Sequence, residues 1–266
     1  MIRSYGGTLI LSVLTPTAAY IAADSRYVRE GEPAIDSAEK IVLIDEKSAC
    51  ALSGYIRFVR SVAYSNDYAA DTALELSMIV EDIAMRSGAT REAGAEGFAR
   101  ALHARLLPIW NVFAGNLTRP FLASEANPHA LARIVYVTTY GKNYFQLARI
   151  GISHSVSARS DGSFSSTPQY PEIQRLYEGR VRKPLLYAFG CRELRGQESA
   201  CDITSDAQAQ ATIMNFFTKS ILERGANGPI GGAIDIARVN AEGVRWLRHK
   251  DSTNDQRQAS GRAAGS

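Results

Sequence analysis

Four residues carry the chemistry this sequence could do: Thr8, Asp24, Lys40 and Gly54. Thr8 follows two glycines in YGGTLILS, residues 5–12, and opens an apolar run. A threonine hydroxyl is a poor nucleophile unless a base stands beside it. Cleavage of the Gly7–Thr8 bond would create that base, because the freed α-amine sits on the same residue as the hydroxyl. Such an amine titrates near ~7.7–8.0 in reference peptides, already close to neutral. A neighbouring ammonium lowers it further, since like charges disfavour each other. Lys40 would be that ammonium, and Asp24 would keep it charged and oriented. The Gly54 N–H could donate to the oxyanion of a tetrahedral intermediate, where the lack of a side chain lets a substrate come close. Together these groups describe nucleophilic acyl transfer.

The elements that must position them are two hairpins. TLILSVL (8–14) and AAYIAAD (18–24) read as strands joined by a turn at Thr15-Pro16-Thr17, because proline presets its φ and cannot donate to a ladder. With the turn centred on Pro16, Thr8 is expected opposite Asp24 at the open end. EKIVLID (39–45) and SACALSG (48–54) read as a second pair around Glu46-Lys47, which places Lys40 across from Ser53, beside Gly54. If the open ends meet, a hydroxyl, a carboxylate, an ammonium and a backbone N–H converge.

Helical periodicity follows over 55–66, 71–87 and 90–109. Strands resume at 132–141, 143–151 and 184–190, with the polar stretch 152–183 expected as a loop insertion. Residues 205–223 form a strong helix candidate, capped by Ser205 or Asp206 and ended by Gly225. Segments 231–239 and 243–249 close with a hairpin, and the polar tail 251–266 has the composition of a disordered segment. Strands in hairpins and helices in blocks argue for antiparallel sheets covered by helices, an α+β layered fold, rather than a parallel βαβ sheet.

Composition narrows the function. The 266 residues are 45% hydrophobic and carry a net charge of +3 with scattered basic residues, which gives nucleic-acid binding no support. Three cysteines, Cys50, Cys191 and Cys201, form no CxxC pair, so a reducing cytoplasm is the expected compartment. The first 24 residues share some features of a secretory signal, but Gly6-Gly7 and Pro16 interrupt its apolar core, and cleavage after Ala23 would discard two strands. No stretch reaches the ~18 clean apolar residues of a membrane span. His103, His129, His154 and His249 lack metal-ligand spacing, and no GxSxG elbow, P-loop or dinucleotide fingerprint is present. No metal or cofactor is expected.

With its gap-free spacing from Gly7 to about Tyr55, GTLILS…IAADSR…EKIVLI…ALSGY resembles the N-terminal half of a proteasome β-subunit, a threonine peptidase of the N-terminal-nucleophile hydrolase group, and points to a bacterial homologue. The resemblance implies a four-layer αββα sandwich of two antiparallel sheets, with residues 1–7 as a short propeptide removed at Gly7–Thr8 and 8–250 as one domain. It implies Thr8 as nucleophile, Asp24 and Lys40 as its electrostatic partners, Gly54 as oxyanion donor and Arg26 as a supporting charge. Its first specificity pocket falls on Ala38, Val42, Leu52 and Ile56, all apolar, so cleavage after apolar residues is expected. The implied partners are peptide or unfolded-protein substrates, further copies of the chain in a ring, and an ATPase regulator. The pattern departs at Asn227 and Ile230, where the family usually carries Asp and Ser, and at Gly190-Cys191-Arg192, where Gly-Ser-Gly is usual. Asn227 is kept as a supporting residue.

Taken singly, each residue has a plainer role: Thr8 a strand opener, Asp24 a strand-end turn former, Lys40 an edge charge, Gly54 a turn glycine. Only the joint spacing favours catalysis. Two alternatives stay open: a non-catalytic ring or scaffold subunit of the same fold, and an amidase of the same nucleophile group acting on a small molecule.

Overall fold

The fold starts from its first hairpin. Strands β1 (Leu9–Leu14) and β2 (Ala19–Asp24) are buried at every position, as strands covered on both faces must be. The turn between them is held by Thr15, whose Oγ1 accepts from Ala18 N at 3.1 Å and donates to Ala18 O at 2.8 Å. That turn spans 15–18 and pairs Leu14 with Ala19 and Ile10 with Ala23. Its centre lies between Pro16 and Thr17, not on Pro16. The expected pairing of Thr8 with Asp24 is therefore off by one: continuing the register brings Leu9 level with Asp24.

The second hairpin carries the same kind of correction. β3 (Ile41–Asp45) and β4 (Ser48–Gly54) turn where Asp45 Oδ1 accepts from Lys47 N at 2.7 Å. A bulge between Leu43 and Asp45 shifts the register, because one strand contributes an extra residue. Lys40 consequently lies against Leu52, whose N–H donates to the Lys40 carbonyl at 2.7 Å, and not against Ser53.

The computed structural model describes residues 8–26, 34, 36, 38–54, 57–60, 72–86, 90–114, 129–158, 160, 164–190, 194–198, 202–225 and 228–250. Three helices lie among them: α1 (Leu76–Arg86), α2 (Thr90–Ala114) and α3 (Asp206–Arg224). α2 breaks at Gly94, whose φ of 54° and ψ of −141° are not helical. α3 obeys its local signals: Ser205 Oγ accepts from Gln208 N at 3.2 Å, Gln208 Oε1 accepts from Thr204 N at 2.8 Å, and Gly225 caps the C-terminus at φ 80°, a reciprocal arrangement close to a capping box.

Two further expectations give way. Residues 57–60 are not helical; Arg57–Arg60 is strand β5, paired with β6 (Thr72–Glu75). Phe58 and Val59 suit a pleated surface as readily as a helix face. The stretch 152–183 is not a loop either. It holds the end of β8 (Tyr144–Ala158), β9 (Phe164–Pro168) and β10 (Glu172–Arg180). No residue of β10 is fully buried, so its strand lacks the apolar alternation that makes strands visible in sequence.

The remaining strands are β7 (His129–Gly141), β11 (Leu185–Gly190), β12 (Leu194–Glu198), β13 (Ile234–Asn240) and β14 (Gly243–Arg248). One antiparallel sheet runs β12-β11-β1-β2-β13-β14, and the other runs β10-β8-β7-β4-β3 with β9 on β8. Three apolar cores separate the layers. Val42, Leu52 and Tyr136 pack with Ile79, Val80 and Phe98 of α1 and α2. Ile10, Ile21 and Ala23 face Ile41, Ala51 and Val135 between the sheets. Leu9, Leu11 and Ala22 lie under Ile213 and Phe217 of α3. Alternate residues of β1 thus serve two cores, each buried side chain contributing roughly 1.5–3 kcal/mol. The described residues form a mixed α+β protein with two six-stranded antiparallel sheets and the small β5–β6 pair, and the layering is compatible with a sandwich.

Candidate active site

Asp24 ends β2 in one sheet, and Lys40 precedes β3 in the other. Their side chains meet where the two sheets open: Lys40 Nζ lies 3.3 Å from Asp24 Oδ1, with exposures of 1% and 0%. The carboxylate is held further by two backbone donors, Leu9 N to Oδ1 at 2.9 Å and Gly231 N to Oδ2 at 3.1 Å. One carboxyl group therefore ties together the start of β1, the approach to β13 and the second sheet. Thr8, also buried, is the residue immediately before Leu9. Burial pushes the Asp24 carboxyl above its ordinary range, against the pull of the Lys40 ammonium and the two amides. A buried pair of this kind gives up much of its Coulombic gain to desolvation, so stability alone is a weak reason for placing it there.

A second tier surrounds Lys40. Its Nζ also donates to the Arg26 carbonyl. The Arg26 guanidinium grips Asp36 with two bonds, Nε to Oδ1 at 2.7 Å and Nη2 to Oδ2 at 2.9 Å, and Nη1 reaches the Gly228 carbonyl at 3.2 Å. Asp36 is held below the usual carboxylate range by that guanidinium bond.

Gly190 sets the approach to Thr8. It pairs with Leu9, has φ +95°, and a Cβ built there would fall 1.8 Å from the Thr8 carbonyl oxygen. Only glycine lets β11 come so close with that backbone. Gly54 ends β4 at φ +88°, exposed and level with Ala132. Ala38, Val42 and Leu52 share one environment: Val42 and Leu52 are buried in the core beneath α1 and α2, with Ala38 packed on its rim. Ile230 is buried under α3. Ile56, Asn227, Cys191 and Arg192, with the 1–7 and 251–266 segments, lie outside the described residues.

The structure brings together Asp24, Lys40 and the peptide next to Thr8, with Arg26 attached through its carbonyl. Sequence reasoning missed Asp36 and the function of Gly231-Gly232. A Cβ on Gly231 would stand 2.5 Å from Arg26 Cζ, and one on Gly232 would stand 2.4 Å from Ser25 Oγ. The paired glycines were the available signal; Asp36 offered none beyond its charge. Among the described residues, no three His, Cys, Asp or Glu side chains are grouped to hold a metal, and no helix is long and apolar enough to cross a membrane. The Cys50 thiol is fully buried and pushed upward by that burial, which leaves it a weak nucleophile. No protein-family model matches the chain, and no curated protein is significantly similar to it.

Proposed function

We propose that this chain is a proteasome-like threonine peptidase with the fold of the N-terminal-nucleophile hydrolases. The observation that carries the reading is the buried Lys40–Asp24 pair, whose carboxylate also holds the amide that follows Thr8. An ion pair costly to bury, beside a residue with a hydroxyl, is the expected signature of a tuned nucleophile. In self-processing, Thr8 Oγ1 attacks the Gly7 carbonyl carbon, the Gly7–Thr8 C–N bond breaks so that the freed Thr8 amine takes the hydroxyl proton and an ester is left on Oγ1, and water hydrolyses that ester to release residues 1–7 and restore the hydroxyl. In turnover, that amine takes the hydroxyl proton as Oγ1 attacks a substrate carbonyl, the proton passes to the leaving amine as the peptide C–N bond breaks, and water then hydrolyses the ester on Oγ1 to free the acyl product and restore the hydroxyl. Gly54 N–H is assigned to the oxyanion, and Ala38, Val42, Leu52 and Ile56 to an apolar first pocket. Substrates are peptides or unfolded proteins, reached in the cytoplasm within a ring of copies served by an ATPase regulator.

Intact mass of the assembled protein, with Thr8→Ala beside it, tests this. A wild-type chain lacking residues 1–7, kept at full length in Thr8→Ala, is the expected result, together with hydrolysis of fluorogenic peptides with an apolar residue before the cut. A full-length wild type without hydrolysis would sink the reading. One observation favours a second reading, a non-catalytic subunit of the same fold: Ile230, where the family usually carries Ser, is packed in apolar core.

A further inference from the structure

We infer that Asp36 is a positioning residue for Lys40, acting through Arg26 and Ser25. An ammonium is a rotatable point charge and stays in place only if its acceptors are fixed. One acceptor is the Asp24 carboxylate, fixed by the Leu9 amide at Oδ1 and the Gly231 amide at Oδ2. Another, the Arg26 carbonyl, lies two residues past the end of β2. There the chain is anchored by Ser25 N to Ala233 O at 2.9 Å, Arg26 N to Gly231 O at 3.0 Å and Ala38 N to Ser25 O at 3.0 Å.

Asp36 adds a grip at both residues. Its backbone carbonyl accepts from Ser25 Oγ at 2.6 Å, and its carboxylate takes the Arg26 guanidinium through two bonds. The guanidinium lies against Gly231, with no room for a Cβ there. The same Gly231 donates its N–H to Asp24. Lys40, Asp24, Gly231 and Arg26 therefore close a ring of contacts, and Asp36 grips that ring at Arg26.

The Arg26–Asp36 pair is half in solvent, with side-chain exposures of 16% and 46%. Pairs so exposed contribute little to stability, yet a bidentate fork fixes direction closely. Removing the Asp36 charge should accordingly move Lys40 without unfolding the protein. The effect on turnover rests on the peptidase reading; the effect on Lys40 does not.

The test uses the full chain as wild type, Asp36→Asn, Asp36→Glu and Gly231→Ala. The Lys40 ammonium is observed in ¹H–¹⁵N spectra, with Lys40→Met identifying its signal, and peptidase kcat and KM are measured in parallel. Asp36→Asn should speed hydrogen exchange at the Lys40 ammonium about tenfold and lower kcat by about tenfold or more while KM holds. Asp36→Glu, which keeps the charge, should recover part of both. Gly231→Ala presses a Cβ directly on the guanidinium and serves if Asp36→Asn fails to fold. An unchanged Lys40 signal in Asp36→Asn, or no retained signal in the wild type, overturns the inference whatever kcat does. A Lys40 signal that responds in a wild type that neither processes itself nor cuts peptides supports the positioning role and sinks the peptidase reading instead.

Discussion

Two aspartates sit in comparable places and behave in opposite ways. Asp24 ends a strand and meets Lys40; Asp206 opens α3 and meets Tyr20 Oη at 2.8 Å, Arg245 Nη2 at 2.6 Å and Arg238 Nε at 3.1 Å. Tyr20, Arg238 and Arg245 stand in register across β2, β13 and β14, forming a row of donors beneath the first turn of α3. Asp206 is 31% exposed. Burial pushes its carboxyl up, but the Tyr20 and Arg245 bonds and the two guanidinium charges hold it below the ordinary range. At Asp24 burial is complete and wins over one ammonium and two amides. The number of partners is similar; desolvation decides the sign. Asp206 is a staple for a helix that already has a good N-cap, and its charge favours the helix dipole. Asp24 carries a charge at a cost, at the point where both sheets and Thr8 come together.

Breaking the costly pair should have the largest effect. Lys40→Met leaves the Asp24 carboxylate buried beside two amides, and the loss at neutral pH is expected to be about 3–5 kcal/mol. The variant raises the Asp24 carboxyl further, and a group raised on folding stabilises below its unfolded value and loses that contribution as pH rises through its folded value. The gap between wild type and Lys40→Met should therefore narrow as pH is lowered from neutral toward the carboxylate range. Denaturant unfolding at stepped pH measures it, and a gap that is constant with pH would show that Asp24 is not the buried charge left behind.

Gly190→Ala tests the same end of the molecule without touching a charge. The added Cβ meets the Thr8 carbonyl, a backbone atom that cannot swing aside, and the residue would hold a positive φ. An expected cost of about 2 kcal/mol combines that strain with local overpacking. Unlike Lys40→Met, this loss should be flat with pH. Hydrogen exchange at Leu9 and at the end of β11 should quicken, while the Asp206 cluster stays protected.

The contrast also explains what was readable in the sequence. α3 was readable because its signals are local: Ser205, Gln208 and Gly225 act within a turn of the helix ends. β1 and β2 were readable because each is a nearly unbroken apolar run, interrupted only by Ser12 in β1 and closed by Asp24 in β2. Register was not. A turn centred half a residue further on and one bulge at Leu43–Asp45 each shift pairing by one, and neither leaves a mark in composition. The strands β9 and β10 were hidden because FSSTP and EIQRLYEGR carry no period-two apolar pattern, although both pair with β8. That Asp24 and Lys40 could meet followed from hairpin geometry. Asp36 could not be found that way, since its contact with Arg26 spans ten residues and has no periodicity.

The smallest expected effect completes the comparison. Asp206→Asn keeps the size of the side chain and loses the charge, so two guanidinium groups and a phenol face a neutral amide. The cost at neutral pH should be about 1–2 kcal/mol, in keeping with charge-assisted hydrogen bonds at a part-exposed site. Asp206 is lowered on folding, so its contribution is present above the unfolded carboxylate value and disappears as pH falls through the lower folded value. The gap between wild type and Asp206→Asn should thus hold steady from neutral down to about pH 4 and close only below it. The Lys40→Met gap, by contrast, should already be narrowing above that point. If both gaps closed over the same interval, the two aspartates would share one environment, and the distinction between a charge kept at a cost and a charge used as a staple would fail.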